Sequence, residues 1–599
     1  MSEKGCIVLE CFCNWRNGPV AQSVEHRPFK AVVRGSSPRR LTIFLILRRS
    51  GMREHRSADS SSFSSGFLRI FLFSFLLFSL GTAGVEIVRL DVRFAIFVQD
   101  MTRYALSVFP TINGEPYPDY PVTMVLFAWL FSAAGRFVNQ WTLSLFSILC
   151  GSLTVALTWL TGERIKRGTG VIAASLLFMT LEFNTTIMSF GIDVPVMAAG
   201  ALILYCLTIR ARSWKSGALF FLLLVFAFLI RGPMGLFLAG AAAGGWLLFA
   251  RQWKQTVIWG MIGAAASLIC LGGGYYLIHA AGGQELYREF FSWQISSRMA
   301  ADDLFFYLFD GPVVFSPSTA FGIAVLLTVL WKRPRGAGIV LPLFGFLLLP
   351  LVLLSIPGCK HLRYMMITVP AFALIGAWGV RNSFVFPRCR RILRAAFRFL
   401  AQYAWIAALC AGLAVTIVMA AMAGVLDLRL ARCGLLILFP AAGLVFRKKT
   451  GLLRDILRTG IVLGILGCVF IFPASTFREH SEGFVRTAEQ YRTGRLYFYR
   501  IGVDHEDLKY LQFLTPEERA EAVYLTPSPD PDDKYRKMYR RREIEGLADM
   551  NPGDLLVIKS KDAGKLEKDA ADCGRKVLFR ARGNLGHKEY SVFEVHPLP

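Results

Sequence analysis

The side chains of this sequence that could do chemistry are acids and cations at the ends of apolar stretches. Carboxylates can deprotonate a hydroxyl group or bind an amine, and Arg or Lys can hold a phosphate and offset the charge that develops as it departs. The residues of interest are Asp91, Arg93, Asp100, Asp119, Asp193, Arg231, Lys360, Arg363 and Tyr364. Together these residue types suit group transfer from a phosphate to an acceptor.

Each of these residues also has a simpler interpretation. Arg and Lys at the end of a membrane span most often anchor it at the lipid headgroups. Asp193 comes just before Val194 and Pro195, and Asp119 stands two residues before Pro121. An Asp in such a place most often caps a helix or forms a turn. The functional interpretation therefore depends on whether these residues converge.

The composition is that of a polytopic membrane protein. Of 599 residues, 54% are hydrophobic and 18% are charged, with a mean hydropathy of +0.46, which excludes a soluble enzyme and a disordered chain. The formal net charge of +25 is expected from basic cytoplasmic loops and does not call for a nucleic acid. Most of the 12 Cys residues are scattered through apolar segments, which indicates neither a disulfide framework nor a zinc site.

Fourteen apolar segments are candidates for membrane spans. They lie near 66–86, 121–138, 141–162, 170–187, 194–209, 215–231, 233–250, 256–280, 312–331, 338–355, 364–381, 400–424, 433–446 and 456–474. If all of them crossed and the N-terminus were cytoplasmic, six basic clusters would lie outside, against the positive-inside rule. An interfacial 121–138 segment places all six inside. The sequence therefore predicts an α-helical protein with about thirteen spans, a cytoplasmic N-terminus and an external C-terminus.

This threading brings the candidate residues to one face of the membrane. The predicted external parts are the loops 87–140, 281–311 and 356–363 and a tail from about 476. Acids and phosphate-binding cations beside an apolar bundle suit a lipid-phosphate donor whose tail stays in the bilayer. Charges gathered at one face also argue against a transporter, in which polar residues at mid-bilayer and interrupted helices are expected.

The tail, 476–599, reads as a small α/β domain. Strand-like runs lie at 495–500, 522–526, 554–559, 576–580 and 589–595, and Gly or Pro turns separate them. A helix-like, charge-rich stretch is predicted after the linker 527–531. The other predicted divisions are a short cytoplasmic N-terminus, 52–65, and a transmembrane domain, 66–475.

Residues 1–51 have no apolar period and no signal-peptide layout. They resemble a peptide obtained by translating a transfer-RNA gene in frame, which would make Met52 the true start. The alternative is a basic cytosolic tail in which Cys6, Cys11 and Cys13 bind a metal. We assign this segment no function.

Several motifs resemble those of the 4-amino-4-deoxy-L-arabinose (lipid A) transferases and the related dolichyl-phosphate-mannose protein mannosyltransferases, which are polytopic GT-C glycosyltransferases. The matching stretches are Asp91-Val-Arg-Phe-Ala with Asp100-Met, Asn113-Gly-Glu-Pro-Tyr-Pro-Asp-Tyr-Pro121, Asp193-Val-Pro, Leu229-Ile-Arg-Gly-Pro-Met-Gly235, and Ser355-Ile-Pro-Gly-Cys-Lys-His-Leu-Arg-Tyr364 leading to Pro370. They occur in the family's order over roughly residues 66–381. The resemblance implies about thirteen spans and an external C-terminus.

The resemblance also implies residue roles. Arg93 matches the family's first-loop arginine, Asp193 its second-loop acid, and Lys360 and Arg363 a basic loop that faces the donor phosphate. The family usually has two adjacent acids three and two positions before that arginine, where this chain has Leu90 and Asp91.

The family's lysine before the proline that follows the first loop is replaced by Tyr120. The candidate catalytic residues are therefore Asp91 and Asp193. The candidate substrate-binding residues are Arg93, Asp119, Tyr120, Arg231, Lys360, Arg363 and Tyr364.

The sequence thus predicts a glycosyltransferase that moves a sugar from a polyprenyl-phosphate donor to a lipid, glycan or protein acceptor at the outer face of the cytoplasmic membrane. No nucleotide-sugar or metal motif is visible, so no divalent metal is required by the sequence. The alternatives are a polysaccharide polymerase or ligase, whose acceptor is itself a lipid-linked glycan, and a flippase for lipid-linked sugars.

Overall fold

The computed structural model describes most of the chain from Ser60 onwards. The described ranges are 60–87, 90–104, 106–209, 213–294, 305–332, 337–358, 360–382, 452–472, 481–501, 507–527, 537–586 and 588–597, with residues 395, 397–399 and 403. Apart from residue 403, the predicted spans 400–424 and 433–446 lie outside the described residues. Residues Phe63–Pro599 form one compact unit.

The first two-thirds of the described chain are almost entirely helical. The helices are α1 (Ser60–Thr82), α2 (Asp91–Arg103), α3 (Thr123–Phe131), α4 (Gln140–Ile165), α5 (Thr169–Met179), α6 (Leu181–Met188), α7 (Val194–Thr208), α8 (Trp214–Arg231), α9 (Pro233–Phe249), α10 (Trp253–Gln294), α11 (Phe306–Val314), α12 (Ser318–Lys332), α13 (Val340–Ser355), α14 (Val369–Asn382) and α15 (Leu452–Ile465). A 3-10 helix, Leu362–Thr368, leads into α14, and a π-helix, Leu466–Ile471, follows α15. Between α2 and α3, β1 (Thr111–Ile112) and β2 (Glu115–Pro116) form a short antiparallel hairpin. Helices suit such apolar sequences because they satisfy every backbone polar group within one segment.

Six described helices are long and apolar enough to cross a membrane, and a seventh is counted if the bent pair α5 and α6 forms one span. That pair bends by 72°. The apolar helices α7, α9 and α12 have 15, 17 and 15 residues, and 15 residues rise only about 22 Å. The total of thirteen spans stays a prediction.

Helix α3 has nine residues and corresponds to the predicted interfacial segment 121–138. Nine residues rise about 14 Å, less than half of a hydrocarbon core of roughly 30 Å. Ala133, Ala134 and Gly135 follow it with positive φ angles, so the helix ends there. This length agrees with the prediction that the segment does not cross the membrane.

Helix α10 breaks at Gly282 and Gly283, and Gly283 has a φ of +66°. The chain remains helical beyond the break as far as Gln294, inside the predicted external loop 281–311. Leu286, beyond the break, forms a small apolar cluster with Phe109 and Ile278.

The described C-terminal residues form a mixed six-stranded sheet with short helices. Its elements are α16 (Glu482–Glu489), β3 (Leu496–Tyr499), α17 (Pro516–Glu521), β4 (Val523–Thr526), β5 (Arg540–Glu543), β6 (Leu555–Lys559), α18 (Ala563–Asp572), β7 (Arg575–Leu585) and β8 (Lys588–Pro597). The strand order is β5-β4-β3-β6-β8-β7. Strands β5, β4, β3 and β6 pair in parallel, and β8 pairs antiparallel with both β6 and β7. The buried parallel strands are continuous apolar runs, as expected when both faces are covered.

Five of the six strands lie where the sequence predicts them. The helix predicted after the 527–531 linker is wrong, because its described residues contain β5 and a 3-10 helix, Ile544–Asp549. Strand β5 is largely exposed at the edge of the sheet. Charged side chains are common on edge strands, where they discourage pairing with another chain, and pairing with β4 outweighs the helical preference of Arg and Glu.

Candidate active site

The centre of the candidate site is an acid held between two arginines. Asp193 lies immediately before α7, and its Oδ1 accepts a hydrogen bond of 2.9 Å from Nε of Arg231. Its Oδ2 lies 3.6 Å from Nε of Arg363, an ion-pair distance too long for a hydrogen bond. The side chains of Asp193 and Arg231 are only 6% and 2% exposed. The structure therefore brings three sequence-predicted residues together in a buried place.

Two glycines explain how the backbone presents this acid and its main partner. A Cβ at Gly191 would lie 2.5 Å from the carbonyl oxygen of Thr186, so the tight turn before Asp193 admits only glycine. Arg231 is the last residue of α8, and Gly232 follows with a φ of +65°. Pro233 then begins α9. This order suits a helix end followed directly by a helix start.

Aromatic rings surround the Arg231 guanidinium. Its Cζ lies 5.1 Å from the ring centroid of Tyr364 and 5.7 Å from that of Tyr120. Cζ of Arg363 lies 5.8 Å from the Tyr364 ring. Cation–π contacts of this kind stabilise a guanidinium and hold it in one orientation. Tyr120 and Tyr364, both proposed from the sequence as substrate-binding residues, thus frame the arginines.

Arg93 reaches the same cluster through Tyr117. Its Nη1 donates a hydrogen bond of 2.6 Å to the Tyr117 hydroxyl, and the Tyr117 ring stacks on Tyr120 at 5.9 Å. Burial and the neighbouring Asp119 carboxylate raise the pKa of Tyr120, while Arg231, Arg363 and Arg93 oppose that rise. The charges of the first loop and those of the arginine cluster therefore act on one tyrosine. The only sign of Tyr117 in the sequence is its place in the quoted motif.

Asp91 lies on the other side of α2 from Arg93. Because the segment is helical, two positions separate the side chains by about 200°. Oδ2 of Asp91 accepts hydrogen bonds of 2.6 Å from Nε2 of Gln140 and 2.9 Å from the backbone N–H of Phe190. Gln140 also donates to the carbonyl oxygen of Met188. Asp91 thus ties α2 to the turn that leads to Asp193. Sequence analysis missed Gln140, which appears only as one polar residue beside an apolar span.

Four buried polar atoms of the candidate site residues have no hydrogen-bond partner in the described part of the chain. They are Nζ of Lys360, Nε of Arg363, Nη2 of Arg231 and Oδ2 of Asp193. Buried polar atoms are nearly always hydrogen-bonded, and an exception calls for an explanation. Three of these groups are cationic donors, so an anion would satisfy them, and the carboxylate oxygen would accept from a hydroxyl or amine.

Two further observations concern the limits of the site. Asp100, noted from the sequence at the same face, forms its ion pair with Arg519, which belongs to the sheet and helices after residue 480, called the C-terminal unit below. Within the described ranges, no three His, Cys, Asp or Glu side chains gather as a metal ion would require.

Comparisons with known proteins bear on the fold and the family resemblance. Residues 119–272 match the model of the dolichyl-phosphate-mannose-protein mannosyltransferase family. The chain is similar to the crystal structure of ArnT from Cupriavidus metallidurans in the apo state, with a TM-score of 0.63 and 13% identity. It is also similar to ArnT bound to undecaprenyl phosphate, with a TM-score of 0.63 and 12% identity. Both alignments cover 89% of the present chain and 98% of the ArnT chain. Curated protein sequences give no significant match. The resemblance predicted from the motifs is confirmed.

Proposed function

We propose that this protein is a glycosyltransferase that transfers a sugar from a polyprenyl-phosphate donor to an acceptor at the outer face of the cytoplasmic membrane. The acceptor would carry a hydroxyl or an amine on a lipid, glycan or protein. One observation carries the proposal: Arg231 and Arg363 flank Asp193, and the buried donor atoms Nη2 of Arg231, Nε of Arg363 and Nζ of Lys360 have no hydrogen-bond partner in the described chain. A phosphate that enters this place would accept from them.

The cations would act mainly on the leaving group. When the bond between the sugar's anomeric carbon and the phosphate oxygen breaks, its electron pair stays with the phosphate, and negative charge grows there. Arg93, Lys360 and Arg363 would hold that phosphate and stabilise the growing charge, which is the contribution expected of donors fixed in a low-dielectric site. The cation–π contacts described above fix Arg363 before the substrate binds.

Asp193 suits the acceptor side better than Asp91. Oδ2 of Asp193 has no hydrogen-bond partner among the described residues, and it could accept the proton of the acceptor as the acceptor's oxygen or nitrogen attacks the anomeric carbon. Arg231 would orient this carboxylate through its contact with Oδ1. Oδ2 of Asp91, in contrast, already accepts two hydrogen bonds from the protein.

The ArnT structure that is bound to undecaprenyl phosphate supports a polyprenyl-phosphate donor by analogy of fold. For the present chain we propose a multi-pass protein of the cell inner membrane with about thirteen spans. The N-terminus would be cytoplasmic and the C-terminal sheet periplasmic.

Cysteine labelling tests this threading. A membrane-impermeant thiol reagent applied from outside should label both Glu115→Cys and Arg136→Cys, on either side of α3. Labelling of the first position alone would show that the segment crosses and would overturn the topology.

The functional test uses purified protein in liposomes with labelled polyprenyl-phosphate sugars and candidate acceptors. We expect labelled acceptor and released polyprenyl phosphate, and loss of both in Arg363→Met. Binding of polyprenyl phosphate should exceed that of the uncharged polyprenol, because only the phosphate can accept from the cations. Equal binding of the two would contradict the proposed phosphate site. Movement of the sugar across the bilayer while it stays attached to its lipid would indicate a flippase instead.

A further inference from the structure

A fully buried arginine joins the C-terminal unit to the helix that carries Arg93. Arg519 lies on α17, and its side chain and that of Asp100 on α2 are both 0% exposed. Nη1 of Arg519 donates hydrogen bonds of 3.0 Å to Oδ1 of Asp100 and 3.4 Å to the carbonyl oxygen of Ile96. Removing one partner of such a pair leaves an uncompensated buried charge, which is strongly unfavourable.

The same arginine holds a second side chain of α2. Its Nη2 donates a hydrogen bond of 2.6 Å to Oε1 of Gln99, and Nε2 of Gln99 donates one of 3.0 Å to the carbonyl oxygen of Gln512. The planar guanidinium thus donates hydrogen bonds to Gln99, Asp100 and Ile96 at the same time. A lysine, with one small ammonium group, could not reproduce this arrangement.

Asp100 also contacts the segment that carries Tyr117. Its Oδ2 accepts a hydrogen bond of 2.5 Å from the backbone N–H of Asn113, at the turn of a hairpin formed by Thr111–Ile112 and Glu115–Pro116. Nδ2 of Asn113 donates to the carbonyl oxygen of Met538. Tyr117 follows the hairpin directly, and its hydroxyl accepts from Arg93. Arg93 and Tyr117 are therefore fixed from two directions through one carboxylate.

A second ion pair holds the chain ahead of α2. Nζ of Lys509, which is 1% exposed, lies 3.2 Å from Oε1 of Glu86. The backbone N–H of Ser481 also donates to the Glu86 carboxylate. The C-terminal unit thus contacts the first loop at two places, one before α2 and one at the C-terminal end of α2.

We propose that Arg519 is a positioning residue of the candidate active site, acting through Asp100 on the placement of Arg93 and Tyr117. This inference rests on the proposed function, because it assigns the C-terminal unit a part in the same transfer reaction. Arg519 touches no substrate. It sets the place of α2 and the hairpin, and through them the place of the first-loop cation relative to Arg231 and Arg363.

The test combines hydrogen exchange with ligand binding on the full chain in detergent micelles. The variants are Arg519→Met, which removes the guanidinium, and Arg519→Lys, which keeps the positive charge but lacks the planar group that donates to several acceptors at once. The matched control is Arg582→Met, which breaks an exposed ion pair of the same unit with Glu589. The readouts are amide exchange across 91–117, amide exchange in β3 and β6, and the Kd for polyprenyl phosphate.

We expect Arg519→Met to speed exchange across 91–117 and to weaken polyprenyl-phosphate binding by about tenfold or more. A displaced Arg93 would lose its charged hydrogen bond to the phosphate, and one such bond is worth that much. Exchange in β3 and β6 should stay as in the wild type. Arg519→Lys should lie between the two, and Arg582→Met should match the wild type. Faster exchange in 91–117 with unchanged binding would make Arg519 a mere anchor and would overturn the inference, as would no change in either readout.

Two outcomes need a further criterion. If Arg519→Met unfolds the sheet itself, Asp100→Asn replaces it, because this change sits on α2, and it is judged by the same two readouts. If the wild-type protein does not bind polyprenyl phosphate, the proposed function fails. Unchanged exchange across 91–117 in Arg519→Met would overturn the inference separately, and faster exchange would show only that Arg519 anchors α2.

Discussion

Replacing Lys360 with Met should raise the free energy of unfolding of the ligand-free protein and weaken its binding of the donor. The Lys360 ammonium is buried and has no hydrogen-bond partner in the described part of the chain. An unsatisfied buried donor costs about 1–3 kcal/mol, and a charged one costs more. Met has nearly the same length without the charge, so Lys360→Met should raise the free energy of unfolding by about 1–3 kcal/mol.

Donor binding should change in the opposite direction. If a phosphate accepts from Lys360, the lost charge-assisted hydrogen bond is worth about 1.5–3 kcal/mol, and Kd should rise roughly 10-fold to 150-fold. Because ligand binding stabilises the folded protein by mass action, polyprenyl phosphate should raise the Tm of the wild type far more than that of the variant.

The assay is thermal unfolding in micelles with and without polyprenyl phosphate, together with a direct Kd measurement. The control is Lys332→Met at the exposed end of α12, which should alter neither quantity. A less stable ligand-free variant would show that the Lys360 ammonium already has a favourable partner. A Kd within about threefold of the wild type would remove Lys360 from the phosphate site, since that change is smaller than one lost charged hydrogen bond.

Three more predictions follow from the site. Arg93→Ala should lower turnover about a hundredfold or more, whereas Arg103→Ala, on the same helix in an exposed pair, should leave it near normal. Asp91→Asn should keep a few per cent of turnover or more, because an amide retains part of an orienting hydrogen-bond network, and Asp193→Asn should lose nearly all; the reverse order would make Asp91 the base. Burial raises the pKa of Asp100 from 3.8 to about 6; Glu517 adds to this rise, and Arg519 and Arg103 oppose it. The stability that Asp100 contributes is therefore present below about pH 4 and is lost as the pH rises through about 6. Denaturation curves across that range should therefore show a steeper fall for the wild type than for Asp100→Asn, and parallel curves would contradict the assigned pKa.

The sequence predicted the parts of the site that local patterns encode. Arg231-Gly-Pro marks a helix end, and Asp193 precedes the apolar run of α7. The topology argument then placed both at one face with Lys360 and Arg363. In the structure, Asp193, Arg231 and Arg363 lie in contact. Five of the six strands of the C-terminal sheet were predictable for the same reason, since each contains a short strand-like run next to turn residues.

Contacts between distant segments could not be predicted from the sequence. Asp91 accepts hydrogen bonds from the Gln140 side chain and from the backbone of Phe190, which lie 49 and 99 positions away in the sequence. Periodicity shows which side of a helix is apolar, but it does not show which polar side chain faces which. The misplaced helix around β5 has a related cause. Its Arg and Glu residues prefer helix in isolation, and only pairing with β4 makes this segment a strand.

The 419 positions between Asp100 and Arg519 also set an order for biosynthesis. At roughly 5–20 residues per second, a ribosome adds Arg519 about 20–80 s after it has added Asp100. During that interval α2 cannot adopt its final buried environment without leaving a carboxylate there that lacks its guanidinium. The first loop should therefore reach its final packing only after Arg519 has been made, and a chain truncated before Arg519 should be cleaved more readily by proteases within 91–117.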